Sequence, residues 1–185
     1  MLNIRTIALG INNLSDARYF SSYGVNWMSF PSSRQMDNIS AIKEIIAWVE
    51  GPECAVEIDT EDQDFLGFFL EEVEVSGVVG PEEVIPPITP MKRIVVCDNE
   101  TTISEKIKQG DLVIVQPQAL ANIPQDKLGQ VFLDIRRIAP EEVTGLVQKY
   151  KGVGIALYGS DEEKVGLKSF EEQDELIDVL LDIEI

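Results

Sequence analysis

The chain has 185 residues, 44% hydrophobic and 26% charged, the balance of a globular protein with one sizeable core. It has no histidine, which excludes serine–histidine and cysteine–histidine nucleophile systems and the commonest metal sites. Its net charge of −18 opposes attraction to nucleic acid or anionic membranes, and no run approaches the roughly 18 apolar residues of a membrane helix. Met1-Leu2-Asn3-Ile4-Arg5 lacks the layout of a signal peptide. Cys54 and Cys97 have no metal-ligand spacing and read as reduced thiols. The expectation is one cytoplasmic domain over 1–185, with no metal and no cofactor.

Along the chain, short β-branched runs alternate with helical patterns. Strands are predicted at 4–9, 26–30, 54–58, 75–79, 93–97, 112–116, 130–135 and 153–158. After the first, Ser15 is placed as helix N-cap and Gly24 just past the end. Ile42, Ile45, Ile46 and Val49 make one apolar helix face, ended by Gly51. Thr60 and Gln63 have capping-box spacing ahead of Leu66, Phe69, Leu70 and Val73. Gly77 interrupts the fourth strand, and four prolines between Pro81 and Pro90 leave room for a short helix at most. Thr102 and Glu105 form a second capping box, with Gly110 closing that helix. Pro124 stunts the helix after the sixth strand. Pro140 sits at N1 ahead of Val143, Leu146, Val147 and Tyr150. Ser169 and Glu172 form a third box ahead of Leu176, Ile177 and Leu180.

Near-continuous apolar strands are buried on both faces, and short βαβ units force parallel strands with right-handed crossovers. Eight such units predict a small (β/α)8 TIM barrel with degenerate helices after strands 4 and 6; an open doubly wound sheet is the alternative. Function then belongs to the residues just after each strand. Arg34, Arg136 and Arg137 are the cations there, and Asp59, Asp98 and Asp134 the carboxylates. The acidic chain attracts a phosphorylated metabolite only if cations gather at this mouth. Arg136-Arg137 reads either as an anion clamp or as salt bridges to Asp134, Glu141 or Glu142. Glu57 and Asp59 share a strand face and are candidates for acid–base work or for ordinary pairing. Asp98 raises the pKa of its neighbour Cys97, which argues against a nucleophilic thiol.

At these strand ends the sequence resembles the phosphoribosylanthranilate isomerase family. Gly10-Ile11-Asn12-Asn13-Leu14-Ser15-Asp16-Ala17 is similar to the family's opening Lys-Ile-Cys-Gly-Ile-Thr-Asn with Asp-Ala shortly after. Gly24 falls where the family has a Gly-Ala-Asp turn, and Phe30 to Arg34 resembles its Phe-x-x-x-Ser-Pro-Arg loop. Ile138-Ala139-Pro140-Glu141-Glu142-Val143 resembles Gly-Gly-Leu-Asn-Pro-Glu-Asn-Val, and Val165-Gly166-Leu167-Lys168-Ser169 resembles Pro-Gly-Val-Lys-Asp. The matches run in order over nearly the whole chain.

The resemblance implies a (β/α)8 fold, a place beside tryptophan biosynthesis, and an Amadori rearrangement, an aldose–ketose isomerisation needing one base and one acid. The family's base position is Leu9 here and its acid position Gln116, neither able to move a proton near neutral pH. The glycine-rich stretch after strand six is missing. The paired phosphate-loop glycines of strand seven are replaced by Arg136 and Arg137; Gly159 matches a second phosphate-loop glycine, and Arg34 the residue that holds the anthranilate carboxylate. Three expectations follow. The chain is a catalytically degenerate relative, a pseudoenzyme, binding a small phosphorylated or carboxylated metabolite through Arg34, Arg136, Arg137 and Gly159. Or it is an active sugar-phosphate isomerase with acid and base relocated to Asp59, Asp98 or Cys97. Or it is a non-enzymatic regulatory protein whose partner is a pathway protein or a second copy of itself.

Overall fold

The alternation of strand and helix closes on itself. A computed structural model describes residues 1–32, 36–59, 65–85, 91–160, 162 and 168–183. The strands are β1 (Thr6–Leu9), β2 (Trp27–Pro31), β3 (Glu53–Glu57), β4 (Gly77–Pro81), β5 (Lys92–Cys97), β6 (Leu112–Val115), β7 (Val131–Asp134) and β8 (Gly154–Tyr158). The helices are α1 (Leu14–Ser22), α2 (Met36–Trp48), α3 (Leu66–Glu72), α4 (Glu100–Gln109), α5 (Pro140–Lys149) and α6 (Glu171–Leu181). Each strand pairs in parallel with the next, and β8 returns to β1 with Tyr158 opposite Leu9. The protein is a small (β/α)8 barrel, and the open sheet is excluded.

Alternation along each strand divides the apolar residues into two layers. Ile7, Leu9, Trp27, Ala55, Val79, Ile94, Leu112, Ile114, Phe132 and Ala156 fill the barrel interior. Ala8, Met28, Phe30, Val56, Val78, Val95, Val113, Leu133, Ile155 and Leu157 face outward onto helix residues such as Phe20, Ile42, Phe69, Val143 and Leu180. Two interior rings set the glycines. A Cβ on Gly77 would sit 2.8 Å from Trp27, and one on Gly154 2.6 Å from Phe132, so each glycine is space for an aromatic ring on another strand. Below this layer Arg5 closes the floor: its Nη2 donates to the carbonyls of Leu128, Val131 and Gly152, and its guanidinium lies 5.1 Å from the Phe132 ring centroid.

The short length is absorbed between β6 and β7. Two 3-10 segments, Pro117–Asn122 and Gln125–Gln130, replace a helix, as Pro124 requires. After β4 the described chain makes turns, and 86–90 lie outside the described residues. Helix starts differ from expectation. Asn13, not Ser15, caps α1 by accepting from the Asp16 N–H, and Asn99, not Thr102, caps α4 by accepting from the Thr102 N–H. The helices therefore begin two and three residues earlier, where an asparagine carboxamide oxygen meets a first-turn N–H. α6 has Phe170 at its N-cap; Ser169 Oγ accepts only a long 3.4 Å bond from the Glu171 N–H. The Thr60–Gln63 pair lies outside the described residues. Gly24 and Gly110 take positive φ just past α1 and α4, and Pro140 opens α5, as expected. No described helix is long and apolar enough to cross a membrane.

Candidate functional site

The barrel mouth is formed where the eight strands end, and polar side chains gather there on the interior layer. Glu57 is the last residue of β3 and has the strand parity of the interior residue Ala55. Its Oε1 accepts from the Gly10 backbone N–H and from Ser29 Oγ, each at 2.5 Å. Gly10 turns the chain at the end of β1 with φ +70°, a conformation that favours glycine and aims its N–H at the carboxylate. Burial pushes Glu57 above the ordinary carboxylate range, although Ser29, Gly10 and Arg136 all pull it down.

Across the mouth, Asp134 ends β7 with its side chain 4% exposed. Arg136 grips it through Nε and Nη2, the closest contact 2.7 Å, and through its backbone N–H at 3.1 Å. Gln116 Nε2 donates to the same carboxylate at 2.8 Å. Burial alone would raise Asp134, but these donors hold it below the usual aspartate value. The Arg136 guanidinium also lies 4.4 Å from the Tyr158 ring centroid. Burial and then the Asp134 charge push the Tyr158 phenol well above its ordinary range. Asp98, Gln116, Asp134, Arg136 and Arg137 line a cleft of about 450 Å³. A second cavity of about 440 Å³, lined among others by Arg5, Val147, Lys151 and Gly152, opens at the opposite end, away from this cluster.

The predicted positions fall out as follows. Leu9 is 5% exposed and packs in the barrel interior, and Gln116 stands at the cleft as an amide bonded to Asp134. Arg136 and Arg137 both line the cleft, with Arg136 paired to Asp134. Asp98 lines it too, whereas Asp59 is exposed beyond the end of β3. Cys97 packs in the helix-side layer, its thiol pushed up to about 12 by burial first and then by Glu82, with Asp98 a lesser contributor. Arg34 and 165–167 lie outside the described residues. Glu57 is the residue that sequence reasoning did not bring to the centre; its shared parity with interior Ala55 was the available signal.

Behind the mouth, Asp16 is fully buried on α1 and forms an ion pair with Lys168, whose side chain is 2% exposed. Asp16 also accepts from the Ser160 N–H at 3.0 Å and from Asn13 Nδ2 at 3.1 Å. Gly159 fits between: a Cβ there would meet Asp16 Oδ2 at 2.7 Å, and its N–H donates to the Leu9 carbonyl at 2.7 Å. The loop amides after β7 and β8 at Arg136, Gly159 and Ser160 are thus already taken by groups of the chain itself. Among the described residues no group of three or more His, Cys, Asp or Glu is arranged to hold a metal.

No protein-family model and no curated protein sequence matches the chain. Solved structures do. A monomeric form of the phosphoribosylanthranilate isomerase of Thermotoga maritima is 15% identical over 97% of this chain and 100% of its own, with a TM-score of 0.73. A phosphoribosylanthranilate isomerase in complex with reduced 1-(o-carboxyphenylamino)-1-deoxyribulose 5-phosphate is 14% identical over 97% and 100%, with a TM-score of 0.72. The enzyme of Thermus thermophilus is 18% identical over 96% and 98%, with a TM-score of 0.67. At this identity the likeness is one of fold. The chain is built on the barrel that these isomerases share.

Proposed function

We propose that this chain is a phosphoribosylanthranilate-isomerase-like barrel, related by descent to that step of tryptophan biosynthesis, in which the Amadori rearrangement is no longer carried by the family's acid and base positions. One observation carries the reading. Leu9 is packed among apolar interior side chains, and Gln116 offers an amide already committed to Asp134. Loss of a general acid or a general base lowers a rate by roughly 10²–10⁴-fold, and both are lost.

The mouth keeps a cleft, and its ligand is a small phosphorylated or carboxylated metabolite. The Arg136 and Arg137 side chains hold it. The Arg136 and Ser160 amides already donate to Asp134 and Asp16, and the Gly159 amide to Leu9. A guanidinium fixed by a carboxylate and an aromatic face is a preorganised donor for such an anion.

The test is turnover of phosphoribosylanthranilate, followed by the loss of its fluorescence. Wild type is expected to show no turnover above the uncatalysed rate, and the double substitution Leu9→Cys with Gln116→Asp to raise it. Robust wild-type turnover would falsify the reading.

A further inference from the structure

Glu57 has no role in the reading above, yet it is an ionisable group set into an otherwise largely apolar barrel interior. Holding Gly10 and Ser29 does not require a charge. A glutamine oxygen would accept both bonds without the desolvation that burial imposes on a carboxylate. The carboxyl group itself is therefore the feature that the fold does not explain.

Its setting has the geometry of a proton-transfer site. Two donors from neighbouring strands fix Oε1, so the side chain is oriented and Oε2 stands outside that pair of bonds. Because one donor is the Gly10 N–H, the carboxylate lies beside the end of β1, next to the position where Leu9 lacks a titratable group. Arg136 and Tyr158, on β7's following turn and on β8, are within electrostatic reach of it. Arg136 is pinned through Nε and Nη2 to Asp134 and leaves Nη1 outside those bonds. A carboxylate at one strand end and a fixed cation within its electrostatic reach are the minimal pair of groups for taking a proton from carbon beside a carbonyl.

We infer that Glu57 is a catalytic base acting on an anionic, enolisable carbonyl compound held in the mouth, with the Arg136 guanidinium receiving the enolate oxygen. The inference rests on the cleft assigned above. The C–H electron pair becomes the carbon–carbon double bond, the carbonyl π pair moves onto oxygen, and the proton passes to Glu57. Reversal returns a proton to the same carbon, so neither oxidant nor reductant is consumed. In D2O the returning nucleus is a deuteron.

The experiment is deuterium wash-in, read by 1H NMR. The intact chain is incubated in D2O with dihydroxyacetone phosphate and, separately, with pyruvate, which distinguishes a phosphate-bearing from a carboxylate-bearing substrate. Loss of the proton signal beside the carbonyl is expected with one of the two probes, faster than without protein. The rate is expected to rise with pH to a plateau, with a midpoint above the ordinary glutamate value of about 4.3. Glu57→Gln, which keeps both hydrogen bonds, is expected to lower it at least ~10²-fold while leaving the far-UV circular dichroism unchanged. Two results overturn the inference: no wash-in by wild type with either probe, or equal wash-in by wild type and Glu57→Gln. Should the variant fail to fold, a wild-type rate independent of pH overturns it as well. None of these outcomes depends on phosphoribosylanthranilate turnover, so the two readings fail separately.

Discussion

Replacing Lys168 by methionine isolates the device that locks the two ends of the sheet together at the mouth. Asp16 lies on α1 and Lys168 follows β8, 152 residues apart in sequence, and their side chains are 0% and 2% exposed. Methionine preserves most of the lysine's volume and removes the charge. Asp16 then stays buried, with the Ser160 N–H and Asn13 Nδ2 as remaining donors but no counter-charge. Breaking a buried pair from one side destabilises by about 3–5 kcal/mol. For a chain of this size that lowers Tm by roughly 6–20 °C, at about 2–4 °C per kcal/mol. Removing both charges, with Asp16→Asn and Lys168→Met together, eliminates the orphaned carboxylate. The double variant is therefore expected to be more stable than Lys168→Met alone, a positive coupling of the two sites. Urea melts of wild type, both single variants and the double variant complete the cycle. Strictly additive losses would refute the claim that the pair is a buried electrostatic lock.

Two further outcomes follow from the interior and the mouth. Gly154→Ala drives a Cβ to 2.6 Å from Phe132 and 2.9 Å from the Arg5 carbonyl, so urea midpoints should report a loss of about 1–3 kcal/mol from overpacking. Glu57 sits above its unfolded value, so its contribution to stability is fully present below that value and declines as pH rises through the folded one. Relative to wild type, Glu57→Gln should therefore gain stability between acid and neutral pH in urea melts, and a constant difference would count against a raised Glu57.

Most of the architecture was legible because a buried parallel strand is a short run of β-branched residues, and eight such runs separated by helix-length segments admit few topologies. The helix starts were misread for a local reason. Asn13 and Asn99 are as good N-caps as the serine and threonine two and three residues on, and spacing alone does not rank the alternative starts. Gly77 read as a flaw in β4 because the ring that needs its space, Trp27, lies two strands away. The mouth was legible in part. Leu9 and Gln116 stood out through motif comparison, and Asp134 with Arg136 are close enough in sequence for their pairing to be anticipated. Glu57 was not singled out over Asp59, since both share a strand face; only closure of the barrel puts Gly10 and Ser29 against the first and leaves the second exposed. The Asp16–Lys168 pair is invisible along the chain, because its partners meet only when β8 returns to β1.

The carboxylates at the mouth share a logic that ties stability to selectivity. Asp134 and Asp16 are each buried, and each takes a backbone N–H from the loop that follows a strand, β7 and β8 respectively. Unsatisfied, such amides would be strong sites for an anion. Satisfied internally, they leave the recognition of an anion to side chains. Asp134 fixes the Arg136 guanidinium at the expense of part of its charge, which lowers affinity for any anion that binds through charge alone. A compound that also develops negative charge opposite Glu57 gains from the same fixed guanidinium at the moment the charge appears. On the enolisation proposed above, the arrangement is expected to favour a substrate whose charge grows during reaction over one that merely carries a phosphate.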